Sequence, residues 1–421
     1  MENMFDKRYV YAILIIELSN CKIKKQGKDL MIKRVAEAEL RRFAKEFKVV
    51  VVNGPRQSGK TTVVQKTFPR KPYVLMEDPD VRAFASEDPR RFLGQYEKGA
   101  IFDEVQRVPS IISYLQGIVD SREEMGQFIL TGSSNFLLME SISQSLAGRA
   151  GYLDLLPFSF DEIKSASGIQ SVADELIIKG AYPPIYDRKP RIDRWYNSYI
   201  ATYIERDIRQ LINLKDILSF QKFMGLCAAN TGQLLNMNRI GTDCGVHHNT
   251  IKAWMGILHA SYIIFFLPPH HSNFRKRLVK SPKLYFYDTG LVSRLLGIQS
   301  QEQLVSHPLR GMLFENLIVS ELLKARYNQG LKSNLYFWRN STGVEIDVIV
   351  DHGKTLFPVE IKSGETVNSD WFRNMALWND FAGKVAEPGV LIYGGNRYER
   401  RKDAKVIPWT DISSIAGKII D

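Results

Sequence analysis

The chain has 421 residues, 44% hydrophobic and 24% charged, an ordinary globular composition that excludes wholesale disorder. Three scattered cysteines, Cys21, Cys227 and Cys244, exclude a disulfide framework and a cysteine metal cluster, and point to a reducing, cytoplasmic setting. The net charge of +11 is uneven: residues 166–300 hold 17 Lys and Arg against 9 Asp and Glu, whereas 301–421 hold 15 of each. A basic middle segment suits an anionic partner, such as DNA or other nucleic acid or an acidic protein, or it is a solvated surface.

Residues 1–30 read as an N-terminal extension. Their one apolar run, Val10–Ile16, is far short of the roughly 20 residues that span a bilayer. Acids mixed into the flanking residues, and Asn20 where a small residue belongs, argue against a secretion signal. A short strand or an unstructured extension is expected there. No stretch elsewhere approaches 18 apolar residues, so a soluble chain with no membrane partner is expected.

From Met31 the pattern is helix, strand and glycine loop. Val35, Leu40, Phe43 and Phe47 have near-helical spacing, and Lys48–Asn53 is a β-branched run suited to a strand buried on both faces. It leads into Gly54-Pro-Arg-Gln-Ser-Gly-Lys-Thr-Thr62, a complete P-loop. Gly54, Gln57, Ser58, Gly59, Lys60, Thr61 and Thr62 are the expected nucleotide cradle. Lys60 is to reach the β- and γ-phosphates and Thr61 to hold Mg²⁺. About 40 residues on, Gly99-Ala-Ile-Phe-Asp103-Glu104 ends a short strand in two carboxylates. Strand alternation is expected to aim them differently, Asp103 at Mg²⁺ and Glu104 at the attacking water. A third strand, Gln127–Leu130, ends in Thr131-Gly-Ser-Ser-Asn135, bringing hydroxyls and an amide to the same edge. These residues predict an ATP- and Mg²⁺-dependent hydrolase.

The chain resembles the prokaryotic AAA-type P-loop ATPases that carry a C-terminal restriction-endonuclease-like region of unknown function. Besides the P-loop, the resemblance rests on Asp103-Glu-Val-Gln-Arg-Val-Pro109, Leu130-Thr-Gly-Ser-Ser134 and Ser145-Leu-Ala-Gly-Arg149. It continues through Pro157-Phe-Ser-Phe-Asp-Glu162, Gly180-Ala-Tyr-Pro-Pro184 and Tyr203-Ile-Glu-Arg-Asp207, covering roughly residues 31–400. It implies an α/β fold with a parallel-sheet ATPase domain, a helical or winged-helix middle and an α/β nuclease-like end. It further implies that Thr131 or Ser133 is a sensor group, and that Arg149 is an arginine finger or sensor arginine. A helix-end basic residue is the plain alternative for Arg149. Gly180-Ala181 replaces the Gly-Gly of the family.

The expected domains are 31–165, 166–270 and 271–421, the last beginning with a basic entry segment. In the middle, Trp195–Leu214 has a sustained helical stripe that suits packed core. Phe220–Ala229, Asn238–Cys244, a turn at Gly245-Val246 and Asn249–His259, capped by Asn249, have the order of a helix-turn-helix. Tyr262–Leu267 would be a wing strand. Lys252, Arg275, Lys276 and Arg277 are candidate phosphate contacts, although such modules also serve purely for packing.

In the third segment, Gly343–Val350 and Thr355–Ile361 are alternating strands. Taking Asp351-His-Gly-Lys354 as their turn pairs Val350 with Thr355, sets Glu345 opposite Glu360, and leaves Asp347 diagonal to Glu360. Val344, Ile346, Val348, Phe357, Val359 and Ile361 would fill the other face. Asp347, Glu360 and Lys362, with Glu315 from a neighbouring helix, resemble a metal-dependent nuclease core holding a second Mg²⁺ or Mn²⁺. An amphipathic hairpin with a solvated charged face is the plain alternative. Two functions are open: an ATPase that engages and cleaves nucleic acid, or a regulatory ATPase switch whose nuclease-like end binds partners without cleavage. Further copies of the chain are a candidate partner in either case.

Overall fold

A computed structural model describes residues 32–133, 145–167, 172–204, 217–270, 281–401, 404–415 and 417. The β-branched run forms β1 (Val49–Gly54), buried along its whole length. It lies inside a sheet completed by β2 (Tyr73–Leu75), β3 (Ile101–Asp103), β4 (Phe128–Ser133) and β5 (Ala150–Asp154), in the order β2-β3-β4-β1-β5. Every pairing is parallel, so all five carboxyl ends share one edge. The register places Val52 beside Thr131 and Gly54 beside Ser133. Alternation divides the strand residues between two cores. Val49, Val51, Phe102 and Leu130 lie in one, and Val50, Val52, Ile101 and Ile129 in the other. Leu40 of α1 (Glu37–Glu46) and Val63 and Val64 of α2 (Lys60–Thr67) close the second core.

Behind the P-loop, Arg34 is buried and donates from all three guanidinium nitrogens. Its guanidinium donates to Ser58 O at 2.7 Å, Leu156 O at 2.6 Å and Glu162 Oε1 at 3.1 Å. Glu162 also accepts the backbone N–H groups of Val35 and Ser159. The Pro157–Glu162 motif is therefore a strap joining the ATPase sheet to the helices of the middle segment.

The stripe at Trp195 forms α3 (Ile192–Tyr199), which passes into a wider π-helical turn at Ile200–Ile204 and does not run on as a regular helix. Thr202 Oγ1 donates to Ser198 O at 2.6 Å, competing with the helical N–H for that carbonyl. Residues 205–216 lie outside the described residues. The three expected helices are α4 (Ile217–Ala229), α5 (Met237–Cys244) and, after the left-handed turn at Gly245, α6 (His248–Ala260). The cap of α6 is His247 in place of Asn249, because His247 is extended and its Nδ1 accepts the Asn249 N–H at 3.2 Å. Trp254 of α6 packs on Phe220 and Phe223 of α4. β6 (Ile264–Leu267) pairs antiparallel with β7 (Lys283–Phe286).

The long helix α7 (Arg310–Tyr327) then precedes β8 (Leu335–Arg339), β9 (Glu345–Asp351), β10 (Leu356–Lys362), β11 (Gly389–Tyr393), β12 (Glu399–Arg400) and β13 (Ala404–Pro408). They form one mixed sheet in the order β12-β13-β11-β10-β9-β8. The β9–β10 register differs by two residues from the expected one: Val350 pairs with Phe357, and Val348 with Val359. His352 N–H closes the turn on Thr355 O, so Thr355 belongs to the turn and cannot reach Val350. The ladder ends at Val348 and Val359, and beyond it Asp347 reaches across with its side chain, Oδ2 accepting the Ile361 N–H at 2.8 Å. The β8–β9 register shifts where the single residue between Tyr336 and Trp338 faces two residues of β9, between Ile346 and Ile349, so the bulge lies on β9. Ile346 and Val344 consequently join Trp338 and Trp378 and leave the core of Val348, Phe357, Val359 and Ile361. Neither face is solvated, for Asp347 is 8% and Glu360 1% exposed.

One apolar cluster runs from Leu156 through Tyr196, Phe220, Trp254 and Leu317 to Phe357, Ile407 and Ile415. Among the described residues, no helix is long and apolar enough to cross a membrane. Since Arg34 and Glu162 are both buried, removing one strands the other's charge. We expect Glu162→Gln to lower stability by about 3–5 kcal/mol, read from denaturant unfolding; a loss below about 1 kcal/mol would show that the strap is not held by this pair.

Candidate functional site

The loop between β1 and α2 has the geometry of a phosphate cradle. Gly54 is at φ +143°, and a Cβ there would fall 2.1 Å from Leu155 O. Gly59, at φ +90°, turns the chain into α2 at Lys60. Lys60 is 5% exposed, and its Nζ donates to Gly54 O at 3.0 Å and Pro55 O at 2.8 Å. Burial pushes its pKa down to about 8, while Glu104 and Asp103 push it back up. The buried Ser58 hydroxyl has no hydrogen-bond partner among the described residues.

Three hydroxyls converge on Asp103. Thr61 Oγ1 donates to Oδ2 at 2.8 Å, Tyr73 Oη donates to Oδ2 at 2.7 Å, and Thr131 Oγ1 donates to Oδ1. Glu104 leaves β3 in a left-handed conformation at φ +57°, so this turn, and no alternation along a strand, separates the two acids. Its N–H bonds Thr131 Oγ1 at 3.3 Å. Its carboxylate accepts from Gln106 Nε2 and from Ser133 Oγ. The two sensor candidates thus divide the acids, Thr131 taking Asp103 and Ser133 taking Glu104. Thr61 and Asp103 supply the hard oxygens that Mg²⁺ prefers, and the glycine cradle with Lys60 and the unpartnered Ser58 hydroxyl suits phosphate oxygens. The residues present fit ATP and Mg²⁺.

Tyr73, Gln106 and Arg34 are the residues that motif reading misses. Tyr73 sits 30 positions from Asp103, and burial together with the Asp103 bond pushes its phenol pKa up. Arg149 is not brought to this site. It precedes β5 at the amino edge of the sheet and is held in a bidentate pair by Asp120. About five residues of strand, some 16 Å, separate it from the carboxyl edge. Lys252 is exposed on α6, while Arg275, Lys276 and Arg277 lie outside the described residues.

The acids of the third segment are gathered but already paired. Lys362 Nζ lies 3.0 Å from Asp347 Oδ2 and 2.7 Å from Glu360 Oε2. Lys283 Nζ lies 3.0 Å from Glu315 and 2.5 Å from Glu345, with Tyr285 Oη also donating to Glu315. Burial and the neighbouring Asp347 push Glu360 well above the usual carboxylate range. Burial acts on Asp347 the same way, but Lys362 and Lys283 outweigh it and hold Asp347 low. Burial likewise raises Glu315. Glu360 Oε1 is buried without a partner among the described residues. Among those residues, no group of three or more acids, histidines or cysteines is disposed to hold a metal. Asp347, Glu360 and Lys362 lie together, whereas Glu315 is paired with Lys283. Glu345, expected against Glu360, faces Lys283.

The uncharacterized protein Rv2008c of Mycobacterium tuberculosis is 31% identical over 343 residues, covering 80% of this chain and 75% of that one. The chain belongs to the Rv2008c family. Family models match as an AAA domain over residues 46–164, and as two domains of unknown function, DUF8612 over 170–302 and DUF4143 over 310–412. The uncharacterized protein MJ1544 of Methanocaldococcus jannaschii is 22% identical over 87% of this chain and 85% of that one. Among solved structures, the Walker-type ATPase paby2304 of Pyrococcus abyssi aligns with a TM-score of 0.43 and 12% identity, covering 63% of this chain and 96% of that one. The first segment is an AAA-type P-loop ATPase domain, a class that uses ATP and Mg²⁺.

The lowered Lys60 pKa has a sign that can be tested. Its ammonium must be protonated to pair with phosphate, and in the free site that charge is lost as pH rises through about 8. Affinity for a fluorescent ATP analogue should be flat below that pH and fall up to about tenfold per pH unit above it. An affinity unchanged from about pH 7 to 9.5 would contradict the assignment.

Proposed function

We propose that this protein binds and hydrolyses ATP to drive or gate its engagement of nucleic acid. The convergence of Thr61, Thr131 and Tyr73 on Asp103, one residue before Glu104 and beside Lys60, carries this reading. Lys60 exchanges its bonds to Gly54 O and Pro55 O for phosphate oxygens. Thr61 and Asp103 would hold Mg²⁺, which when bound would neutralise phosphate charge. Glu104 accepts the proton of the attacking water at its carboxylate, once released from Gln106 and Ser133. Tyr73 and Thr131 keep Asp103 oriented.

Lys60→Ala should abolish nucleotide binding or turnover. Glu104→Gln should keep binding and lower turnover about 10²- to 10⁴-fold, measured by phosphate release. Near-wild-type turnover in Glu104→Gln would remove this residue from the chemistry.

The nucleic-acid part of the proposal is supported by the basic middle segment and by the order α5, turn, α6 and β6–β7 hairpin, with Lys252 exposed on α6. Neutralising Arg275, Lys276 and Arg277 together should weaken DNA binding and flatten its salt dependence.

Two readings divide the third segment, each with its own support. Cleavage is supported by Asp347, Glu360 and Lys362 lying together, with Glu360 Oε1 unpartnered among the described residues and available to a divalent ion. A regulatory switch that binds without cleaving is supported by the two lysines that already neutralise the acids. With full-length protein and Mg²⁺ or Mn²⁺, the nuclease reading expects Asp347→Ala, Glu360→Ala and Lys362→Ala each to lose cleavage while keeping ATP turnover. Absence of cleavage of any DNA or RNA form by the wild type leaves the switch.

A further inference from the structure

The far edge of the C-terminal sheet holds a pocket that neither the P-loop nor the carboxylate cluster uses. β12 and β13 form a short antiparallel hairpin whose register sets Arg400 directly opposite Lys405. Cross-strand neighbours of like charge repel. Among the described residues, neither has an ion-pair partner, for Glu399 is taken by Arg401 at 2.5 Å. Arg400 and Lys405 are exposed. With Arg401 they line a cavity of about 380 Å³ that also receives Ser414, from the 3₁₀ segment Trp409–Ile415. Its other wall is apolar, with Phe357 and Val390 contributing, and no acid is among its described lining residues. Glu387, the acid beside that wall in sequence, accepts from Thr355 Oγ1 at 2.6 Å.

Charged residues on an edge strand often serve only to prevent edge-to-edge pairing. That role needs neither a concavity nor two like charges face to face; cations alternating with acids would serve it at lower cost. A concave wall of one sign of charge over an apolar surface concentrates field on an anion, and the volume lies in the range of small-ligand sites. Lys405 lies beside Val390, which lies beside Val359. Strand alternation therefore puts Lys405 on the opposite face of the sheet from Glu360.

We propose that this pocket binds a nucleotide unit, its phosphate on Arg400, Arg401 and Lys405 and its sugar or base on the apolar wall. The unit can come from a free nucleotide or from a nucleic-acid strand. This site is separate from the ATP site and does not depend on cleavage in the carboxylate cluster.

The test uses the full-length chain with its P-loop saturated by a non-hydrolysable ATP analogue and Mg²⁺. Two probes are titrated, thymidine 3′,5′-bisphosphate and a ten-residue oligothymidylate. Arg400→Glu converts the repulsive pair into an attractive one, so its melting temperature should equal or exceed that of the wild type. Its affinity for the probe should nevertheless fall about ten- to a hundredfold, and the oligonucleotide salt slope should drop by about 0.7 per lost contact. Lys405→Gln should show the same loss and carries the test if Arg400→Glu fails to fold. Binding of the bisphosphate identifies a free-nucleotide site, and binding of the oligonucleotide alone identifies a strand site. If the wild type binds neither probe, or both variants bind as well as it does, the proposal is overturned.

Discussion

The buried pair of Arg34 and Glu162 is the constraint on which the other parts depend. One guanidinium ties the P-loop carbonyl of Ser58 to Leu156 at the exit of the sheet and to Glu162 in the next helix. Two charges withdrawn from water are stable only when paired and hydrogen-bonded, and both are. Glu162 spends its second oxygen on Ser159, whose neighbour Phe160 donates its N–H to Glu321 of α7 at 2.8 Å. Lys324 on the same helix donates to Phe158 O at 2.9 Å. A displacement at Ser58 therefore meets α7 after four hydrogen bonds, through Arg34, Glu162, Ser159 and Phe160. Nearer the start of α7, Glu315 meets Lys283 and Arg310 clasps Asp174, so the same helix also touches the paired acids and the middle segment.

The legibility of each element in the sequence tracks the range of its contacts. The P-loop is contiguous, so Gly54 through Thr62 could be read directly, and the β-branched run before it marked β1. Asp103, Glu104, Thr131 and Ser133 were legible because each closes an apolar strand. Tyr73, Gln106 and Arg34 were not, since nothing local distinguishes a tyrosine on an edge strand from one whose hydroxyl meets an acid 30 residues away. The β9–β10 register depended on whether Thr355 lay in the turn or the strand. That choice rests on one hydrogen bond from His352. Arg149, which the motif marks by type, stands at the amino edge of its own sheet, where Asp120 holds it.

The acids of the third segment show why residue type alone is a weak guide to chemistry. Asp347, Glu360, Glu315 and Lys362 were all found from sequence, yet Lys283, 32 residues before Glu315, determines what they can do. It bridges Glu315 and Glu345, while Lys362 bridges Asp347 and Glu360. The same four residues can be a loaded site or a neutralised one, according to where two ammonium groups stand.

The apolar cluster that runs from Leu156 to Ile415 has a practical consequence for dissecting the molecule. The middle and C-terminal segments share it through α7, which packs against β7 and against β10. Cutting the chain near residue 300 would part α7 from β7, which it packs against, and divide this cluster between two pieces. Large apolar faces laid bare in this way drive aggregation. The two halves should melt in one cooperative transition, and fragments expressed separately should be recovered only when produced together.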